Sequence, residues 1–353
     1  MLVGWDSRRT VIVKSVLVTG SSGTIGTRLC ERLLRDGYEV VGVDRTPNRW
    51  NQTLNALTVV GDVCEQETLN RLPSSFDLVI HLAANARVHD LVIDPSRAFE
   101  NIHSTFRVLE FCRENAIPRL IFASSREVYG NSDGVARSEE QTHVDCCESA
   151  YTASKISGEA MIKAYARCYG ISCVTMRFSN VYGMYDVSDR LVPLFIKRAR
   201  QGKDLIVFGK SKLLDFTYVD DTVAGILACV QRHDQVADMT FNVASGQGTQ
   251  IVDVAEMVRD ALGSTSRVVL RENRTGEISQ FVANISAAQK YLDYEPRYSM
   301  SEGLERAIAW YARCEDPTWL DGITGPQVIT TTKAETSCTA VESPADWDSV
   351  SGS

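Results

Sequence analysis

The residues best suited to chemistry in this sequence are a tyrosine and a lysine four positions apart, Tyr151 and Lys155. Residues at this spacing share one face of a helix. A lysine ammonium one turn away stabilises the ionised form of a phenol, so Tyr151 is a candidate general base near neutral pH. The Y-x-x-x-K spacing is also common on helices without a catalytic role, and its meaning therefore depends on the surrounding motifs.

A pair of serines, Ser124 and Ser125, stands upstream at the carboxyl end of a predicted strand. Ligands of doubly wound sheets bind at that edge. A serine hydroxyl placed there can hydrogen-bond the substrate oxygen that Tyr151 deprotonates. The alternative interpretation is a serine pair that simply ends a strand.

Three glycines, Gly20, Gly23 and Gly26, are spaced as G-x-x-G-x-x-G where a predicted strand passes into a predicted helix. Glycines allow a tight turn and a close approach of the backbone to a pyrophosphate. The helix N-terminus adds unpaired N–H groups and the positive end of its dipole. A glycine-rich loop that binds no ligand is the alternative.

Two acidic residues, Asp44 and Asp62, each follow a later predicted strand. A carboxylate at position 44 accepts hydrogen bonds from the adenosine ribose and repels a 2′-phosphate, which favours NAD over NADP. The neighbouring Arg45 weakens this preference. Asp62 either hydrogen-bonds the adenine amine or belongs to a simple turn. Together with the glycines, these residues predict a dinucleotide site for NAD.

The elements that must position these residues alternate between short apolar runs and helical patterns. Strands are predicted at 15–19, 40–43, 57–60, 78–82, 119–124 and 172–177, and helices at 25–36, 98–115, 151–169, 192–201, 220–231, 251–262 and 300–312. Nearly all-apolar strands that alternate with helices are typical of a parallel sheet covered on both faces. The predicted fold is α/β: a Rossmann-like, doubly wound parallel sheet with a smaller C-terminal α/β substrate-binding domain.

Composition excludes several classes of function. The chain has 353 residues, of which 44% are hydrophobic, and a formal net charge of −8. An acidic protein repels polyphosphate, so we expect no nucleic-acid partner. No run of about 18 apolar residues and no signal-peptide h-region occur, so we expect a cytoplasmic protein without a membrane partner. The 10 cysteines have no zinc-type spacing, and we expect no metal.

Several motifs occur in a characteristic order. They are T-G-S-S-G-T-I-G from position 19, D-V from 62, H-L-A-A from 81, S-S-R-E-V-Y-G from 124, Y-T-A-S-K from 151 and R-F-S-N-V-Y-G from 177. This set resembles the extended short-chain dehydrogenases/reductases, and more narrowly their NAD-dependent nucleotide-sugar epimerase/dehydratase branch, which includes UDP-glucose 4-epimerases. The resemblance runs from about position 14 to 311, most of the chain.

The resemblance implies roles for particular residues. Ser125 joins Tyr151 and Lys155 in catalysis, and Asn180 and Arg274 contact the substrate diphosphate. The residues implied or predicted to bind NAD are Gly20, Gly23, Thr24, Ile25, Gly26, Asp44, Asp62, Val63, Leu82, Ala83, Ala84, Asn101, Tyr151 and Lys155. In that family the tyrosine takes the hydroxyl proton while NAD takes a hydride, and in epimerases the hydride returns to the other face of the sugar. We expect His81 to be structural rather than a proton carrier.

Two departures from the family pattern bear on the substrate. Leu214 replaces an arginine that many members place just before the D-F motif, so a phosphate contact is missing or comes from Lys210, Lys212 or Arg190.

The second departure is Arg126 followed by Glu127. Glu127 matches a catalytic carboxylate of sugar dehydratases and is a fourth candidate catalytic residue. Arg126 replaces their proton-donating aspartate, which arginine cannot imitate. It is instead expected to bind a substrate carboxylate or to pair with Glu127.

These observations favour an NAD-dependent UDP-sugar 4-epimerase. The alternatives are a nucleotide-sugar dehydratase or decarboxylase that uses Glu127, a reductase, or a non-catalytic NAD-binding scaffold. The resemblance also implies a homodimer formed by the helices at 98–115 and 151–169, although apolar residues there, such as Phe106 and Leu109, could belong to the core. We predict an NAD-binding domain at 1–180, completed by segments near 214–245, a substrate domain at 181–322 and a disordered tail at 323–353.

Overall fold

The computed structural model describes residues 13–131, 136–142, 144–274 and 276–314. The predicted tail at 323–353, the first twelve residues and the end of the predicted substrate domain lie outside the described residues. Predicted and observed elements differ by one or two residues at their ends. The strand predicted at 119–124, for example, continues through Ser125.

The strands of the described chain are β1 (Ser15–Thr19), β2 (Glu39–Asp44), β3 (Thr58–Val60), β4 (Leu78–His81), β5 (Arg119–Ser125), β6 (Ala136–Arg137), β7 (Ser172–Phe178), β8 (Asn180–Tyr182), β9 (Leu205–Phe208), β10 (Leu213–Tyr218), β11 (Thr240–Val243), β12 (Gly248–Gln250), β13 (Val268–Arg271) and β14 (Gln280–Ala283). The helices are α1 (Thr24–Arg35), α2 (Gln52–Ala56), α3 (Gln66–Asn70), α4 (Val88–Ile93), α5 (Ser96–Glu114), α6 (Ala150–Tyr169), α7 (Leu191–Arg200), α8 (Val219–Arg232), α9 (Ile251–Ala261), α10 (Ser286–Leu292) and α11 (Met300–Arg313). The short elements, such as α4, β9 and β13, escaped the sequence analysis because they span too few residues to show a period.

A seven-stranded parallel sheet forms the centre of the fold, in the order β11-β7-β5-β4-β1-β2-β3. Side chains of a strand alternate between its two faces, and β1 shows the consequence. Val16 and Val18 pack in one buried cluster with Leu29 of α1, whereas Leu17 packs in a second cluster with Leu109 of α5. The sheet is therefore covered on both faces, which confirms the predicted Rossmann-like class.

The strand order reverses at β1, which lies between β2 and β4. In such sheets the crevice at the carboxyl ends of the strands beside this reversal is the ligand-binding edge. A second sheet, β12-β10-β14-β6 with β8 also paired to β10, and a β13-β9 pair are built mainly from the second half of the chain. β11 returns from that half to complete the parallel sheet. The chain thus places residues from both halves around one edge.

Candidate active site

A cavity of about 560 Å³ opens at the carboxyl ends of β1, β2, β4 and β5, and every site residue predicted from the sequence lines it. Its dinucleotide half is lined by Gly20, Gly23, Thr24, Ile25, Gly26, Asp44, Asp62, Val63, Leu82, Ala83, Ala84 and Asn101. Its other half is lined by Ser125, Arg126, Glu127, Tyr151, Lys155, Asn180 and Arg274. Predicted site residues as far apart in sequence as Gly20 and Arg274 therefore line one cavity.

The glycine turn after β1 needs its glycines for steric reasons. Gly20 has a φ of +73°, in the left-handed region that favours glycine. A Cβ on Gly26 would lie 2.0 Å from the carbonyl oxygen of Gly20. α1 then begins without a side-chain cap and without an acidic residue in its first turn. Its N-terminal N–H groups are thus available to an anion, so this cradle fits the pyrophosphate of a dinucleotide.

Asp44 is held in a fixed orientation at the end of β2. Its Oδ2 accepts the backbone N–H of Ser22 at 3.0 Å, and its Oδ1 accepts the backbone N–H of Thr46 at 2.9 Å. The next residue, Arg45, is drawn aside by two carboxylates, with Nη2 2.8 Å from Asp62 and 3.1 Å from Glu100. These pairs oppose an attraction of Arg45 to a 2′-phosphate, and the expected weakening of the preference for NAD stays a prediction.

His81 and Asn101 support the wall of the dinucleotide half. Burial, with Lys155 nearby, lowers the pKa of His81 to about 3, and its Nδ1 hydrogen-bonds the Thr19 hydroxyl at 2.7 Å. A neutral, fully enclosed imidazole supports the structural role expected for it. The Asn101 side chain accepts the N–H of Asn85 at 2.7 Å and donates to the Asn85 carbonyl at 3.1 Å. Asn101 thereby fixes the loop after β4.

Ser125, Tyr151 and Lys155 meet where β5 ends against α6. The Ser125 hydroxyl lies beside the Tyr151 phenol and acts to lower its pKa. The Lys155 ammonium donates to the Ala123 carbonyl at 2.8 Å and lies 5.9 Å from the centre of the Tyr151 ring. All three side chains are buried. The order of strand and helix thus brings a hydroxyl, a phenol and an ammonium to one point in the cavity.

The electrostatics around Tyr151 differ from the sequence-based expectation that the Lys155 ammonium stabilises the ionised phenol. Burial raises the pKa of Tyr151, the hydrogen bond with Ser125 opposes this, and the cations that lower it are Arg190 and Arg126. Burial lowers the pKa of Lys155 to about 8, although Glu159 raises it. Without ligands, Tyr151 is therefore a neutral phenol. Further positive charge beside it is required to make it a base near neutral pH.

Arg126 and Glu127 follow Ser125 in a 3₁₀ helix, Arg126–Tyr129. Arg126 Nη2 lies 2.8 Å from Glu127 Oε1, and the two side chains are 11% and 5% exposed. The sequence left open whether Arg126 pairs with Glu127, and the structure shows this pair. Burial raises the pKa of Glu127, against the opposing effect of Arg126 and Lys212.

At the substrate end of the cavity, two cations lie beside Glu277. Lys212 Nζ lies 2.6 Å from Glu277 Oε2, and Arg274 Nη1 lies 3.6 Å from Glu277 Oε1. Arg274 also stacks on the Phe208 ring at 3.9 Å. Asn180 donates its amide N–H to the Asp215 carbonyl at 2.8 Å. Among the cations considered as replacements for an arginine at 214, Lys212 and Arg190 line the cavity.

The sequence analysis missed one buried network behind the catalytic residues. Glu159 receives the Ser124 hydroxyl at 2.5 Å and two nitrogens of Arg177 at 2.9 and 2.7 Å. Arg177 also donates to the Tyr129 hydroxyl at 2.9 Å. The one available signal was that Glu159 continues the four-residue spacing of Tyr151 and Lys155 along α6.

Comparison with known proteins agrees with this geometry. The family model described as the NAD dependent epimerase/dehydratase family matches residues 16–244. The chain belongs to that family. The chain is accordingly an NAD-dependent enzyme.

Similar proteins are named as sugar epimerases. The present chain is 31% identical to an uncharacterised UDP-glucose epimerase, YtcB, of Bacillus subtilis. The alignment covers 84% of this chain and 97% of YtcB. The chain is also 30% identical to UDP-glucuronate 4-epimerase 4 of Arabidopsis thaliana, covering 84% and 75%. It also resembles the solved UDP-glucuronic acid 4-epimerase of Bacillus cereus in complex with UDP-glucuronic acid and NAD, at 29% identity, with a TM-score of 0.77 and coverage of 84% and 99%.

The described residues contain no group of three or more His, Cys, Asp or Glu side chains arranged to hold a metal ion. None of the helices in the described ranges combines the length and the apolar character needed to cross a bilayer.

Proposed function

We propose that the protein is an NAD-dependent UDP-sugar 4-epimerase. The observation that carries the proposal is the meeting of Ser125, Tyr151 and Lys155 in one cavity with the glycine cradle and with cations such as Arg274 and Lys212. A sugar held there by its diphosphate places one ring hydroxyl between the phenol and the dinucleotide half. The named relatives support the same activity.

Each catalytic residue has a defined task at the reacting hydroxyl. Ser125 hydrogen-bonds its oxygen and Tyr151 removes its proton, to be returned after the sugar has turned over. Lys155, with its ammonium 5.9 Å from the centre of the Tyr151 ring, is proposed to join Arg190 and Arg126 in favouring the ionised phenol when the site is occupied. When bound, NAD supplies the oxidation and the reduction at the same carbon.

A dehydratase or decarboxylase is the second candidate, since Glu127 lines the cavity next to Ser125. Burial raises the pKa of Glu127, which suits a proton donor, whereas the pairing with Arg126 at 2.8 Å opposes that rise. An epimerase needs no acid at this position.

Incubation of the purified protein with UDP-glucose, UDP-galactose and UDP-glucuronate distinguishes the candidates. An epimerase yields the C4 epimer at unchanged mass, which NMR resolves. Loss of water or of carbon dioxide, seen by mass spectrometry, would instead support the second candidate. Recovery of every sugar unchanged from the NAD-loaded protein would contradict both.

The cofactor preference is expected to depend on Asp44. Replacing Asp44 with serine removes charge-assisted hydrogen bonds of about 1.5–3 kcal/mol, so NAD affinity should fall roughly 10- to 100-fold. NADP affinity should rise, because the repulsion of its 2′-phosphate is lost. Calorimetric titration of the nucleotide-stripped protein measures both. The exposed carboxylate of Asp36 provides the control, since Asp36→Ser should change neither affinity, and an unchanged NADP affinity in Asp44→Ser would contradict the assignment.

We also propose a homodimer formed through α5 and α6. Phe99 is 70% exposed and Phe106 is 41% exposed on α5, and Tyr169 at the end of α6 is 55% exposed. Leu109, by contrast, is fully buried in the protomer core. Large apolar side chains exposed on one helix pair are typical of an interface between protomers.

The double variant Phe99→Glu/Phe106→Glu is expected to elute as a monomer, because it places charges in the proposed interface. Light scattering during gel filtration gives the mass directly. Tyr291→Glu is the control, since Tyr291 is 42% exposed on α10, away from α5 and α6. A wild-type protein of monomer mass would contradict the proposal.

We likewise propose the division into an NAD-binding domain and a substrate domain. The glycine turn follows β1 and Asp44 ends β2, and both strands belong to the parallel sheet. Lys212 and Arg274, by contrast, flank strands of the smaller sheets. The cytoplasmic location remains a prediction from the sequence.

A further inference from the structure

The carboxyl end of β5 meets α6 through contacts made by consecutive strand residues. The Ser125 hydroxyl lies beside the Tyr151 phenol, and the Ala123 carbonyl accepts a hydrogen bond from the Lys155 ammonium at 2.8 Å. The two helix residues are four positions apart, so they share one face of α6. The register of β5 against α6 therefore sets how the hydroxyl, the phenol and the ammonium are arranged in the cavity.

A third contact continues this series with a pair that has no role in the proton transfer. Ser124, which lies between the two strand residues, donates its hydroxyl to Glu159 Oε1 at 2.5 Å. Glu159 follows Lys155 by four positions, one turn further along the same face of α6. Ser124 and Glu159 are 4% and 6% exposed. A buried hydrogen bond to a carboxylate is stronger than one between neutral groups, so this contact ties the strand firmly to the helix.

The carboxylate of Glu159 is itself held in place from the neighbouring strand. Arg177 of β7 donates to both of its oxygens, at 2.9 and 2.7 Å. Ser124 and Arg177 are register partners in the pairing of β5 with β7. One carboxylate therefore receives hydrogen bonds from directly adjacent positions of two strands, which restricts its movement away from Ser124.

A glycine allows α6 to approach β5 closely at this point. A Cβ on Gly158 would lie 2.5 Å from Cζ of the buried Phe122 ring, so a larger residue would displace the ring or the helix. Phe122 and Ser124 project from the same face of β5, because side chains alternate along a strand. The strand and the helix are thus packed at short range where Ser124 and Glu159 meet.

The contact between Ser125 and Tyr151 cannot maintain this register throughout the reaction. Under the proposed function both groups turn to the reacting hydroxyl of the sugar, and the phenol changes its protonation state. The hydrogen bond between Ser124 and Glu159 involves no reacting group. It can therefore stay in place while the neighbouring groups exchange their partners.

We propose that Ser124 and Glu159 are positioning residues that keep β5 in register with α6, and thereby keep Ser125 aligned with Tyr151 during the reaction. The proposal rests on the proposed 4-epimerase activity and adds to it two residues that act through others rather than on the sugar. Ser124 also lines the cavity, so the experiment has to separate positioning from a direct contact between Ser124 and a ligand.

Steady-state kinetics of the full-length, NAD-loaded protein test the pair, with whichever of UDP-glucose, UDP-galactose and UDP-glucuronate the wild type epimerises fastest. Ser124→Ala is expected to lower kcat about 10- to 100-fold, since a misplacement of roughly 1 Å at reacting groups costs up to about 10²-fold. KM should change less than about twofold, because no contact with the sugar is lost. Ser124→Thr keeps the donor and should retain kcat within about fivefold of the wild type.

Ser266→Ala is the matched control, because Ser266 is also 4% exposed and shares a hydrogen bond with Ser264 at 3.0 Å, outside the cavity. It should leave kcat within about twofold. If Ser124→Ala does not fold, the double variant Arg177→Met/Glu159→Leu removes the same contact from the helix side without leaving a buried charge. Its kcat should fall by a similar factor.

An unchanged kcat in Ser124→Ala, or a raised KM at unchanged kcat, would overturn the proposal and leave the 4-epimerase function intact. Equal losses of kcat in Ser124→Ala and Ser124→Thr would also overturn it, because the hydroxyl would then not be the group that matters. A wild-type protein that epimerises none of the three sugars would instead refute the proposed function on which the pair depends.

Discussion

Replacing Tyr151 with phenylalanine is expected to lower kcat by about 10²- to 10⁴-fold, the range that a positioned general acid–base contributes. The phenol is the group whose pKa the neighbouring Ser125 hydroxyl lowers, and it lines the cavity. The variant retains the buried ring, so the fold and the glycine cradle should be unaffected. NAD content and the thermal midpoint of unfolding should therefore match those of the wild type.

The matched control is Tyr165→Phe on the same helix. The Tyr165 hydroxyl hydrogen-bonds Glu110 at 2.6 Å, outside the cavity. Its loss should leave kcat within a factor of about two, since the group does not touch the reacting atoms. Conversion of UDP-glucose, followed by NMR in both variants, gives the comparison. Retention of more than about a tenth of wild-type activity in Tyr151→Phe would contradict its role as the proton acceptor.

The second large effect is expected from Arg177→Ala, which should lower the free energy of unfolding by about 3–5 kcal/mol. The side chains of Arg177 and Glu159 are 4% and 8% exposed, and Arg177 Nη2 lies 2.7 Å from Glu159 Oε2. Removing the arginine leaves the carboxylate buried without its partner. The change also removes the hydrogen bond that Arg177 donates to the Tyr129 hydroxyl, which then keeps its bond to Asn242 at 2.7 Å.

Urea denaturation followed by circular dichroism measures this change. Arg267→Ala is the control, because the Arg267 side chain is 79% exposed in its pair with Asp204 and such pairs contribute little. The double variant Arg177→Met/Glu159→Leu should regain part of the lost stability, since it removes both buried charges. An unchanged midpoint in Arg177→Ala would show that the network does not stabilise the fold.

Local patterns predicted the fold class and a set of candidate site residues that the structure brings together in one cavity. The glycine turn, Tyr151 with Lys155, and the apolar strands each depend on residues close together in sequence, where spacing sets geometry directly. A strand that ends in a glycine turn before a helix defines the ligand-binding edge without knowledge of the rest of the chain. That is why every predicted site residue lines the same cavity.

The tertiary structure alone decided how those residues are charged and paired. Arg45 is neutralised by Glu100, Lys212 by Glu277, and Arg177 joins Glu159 behind the catalytic residues. Such pairs join segments that meet only when the sheet and its helices assemble. Burial, which raises the pKa of Tyr151 and lowers that of Lys155, is likewise a property of the packed chain. The sequence by itself determined which chemical groups reach the cavity, and only the packing determined their protonation and partners, because both depend on the low-dielectric surroundings that distant segments create.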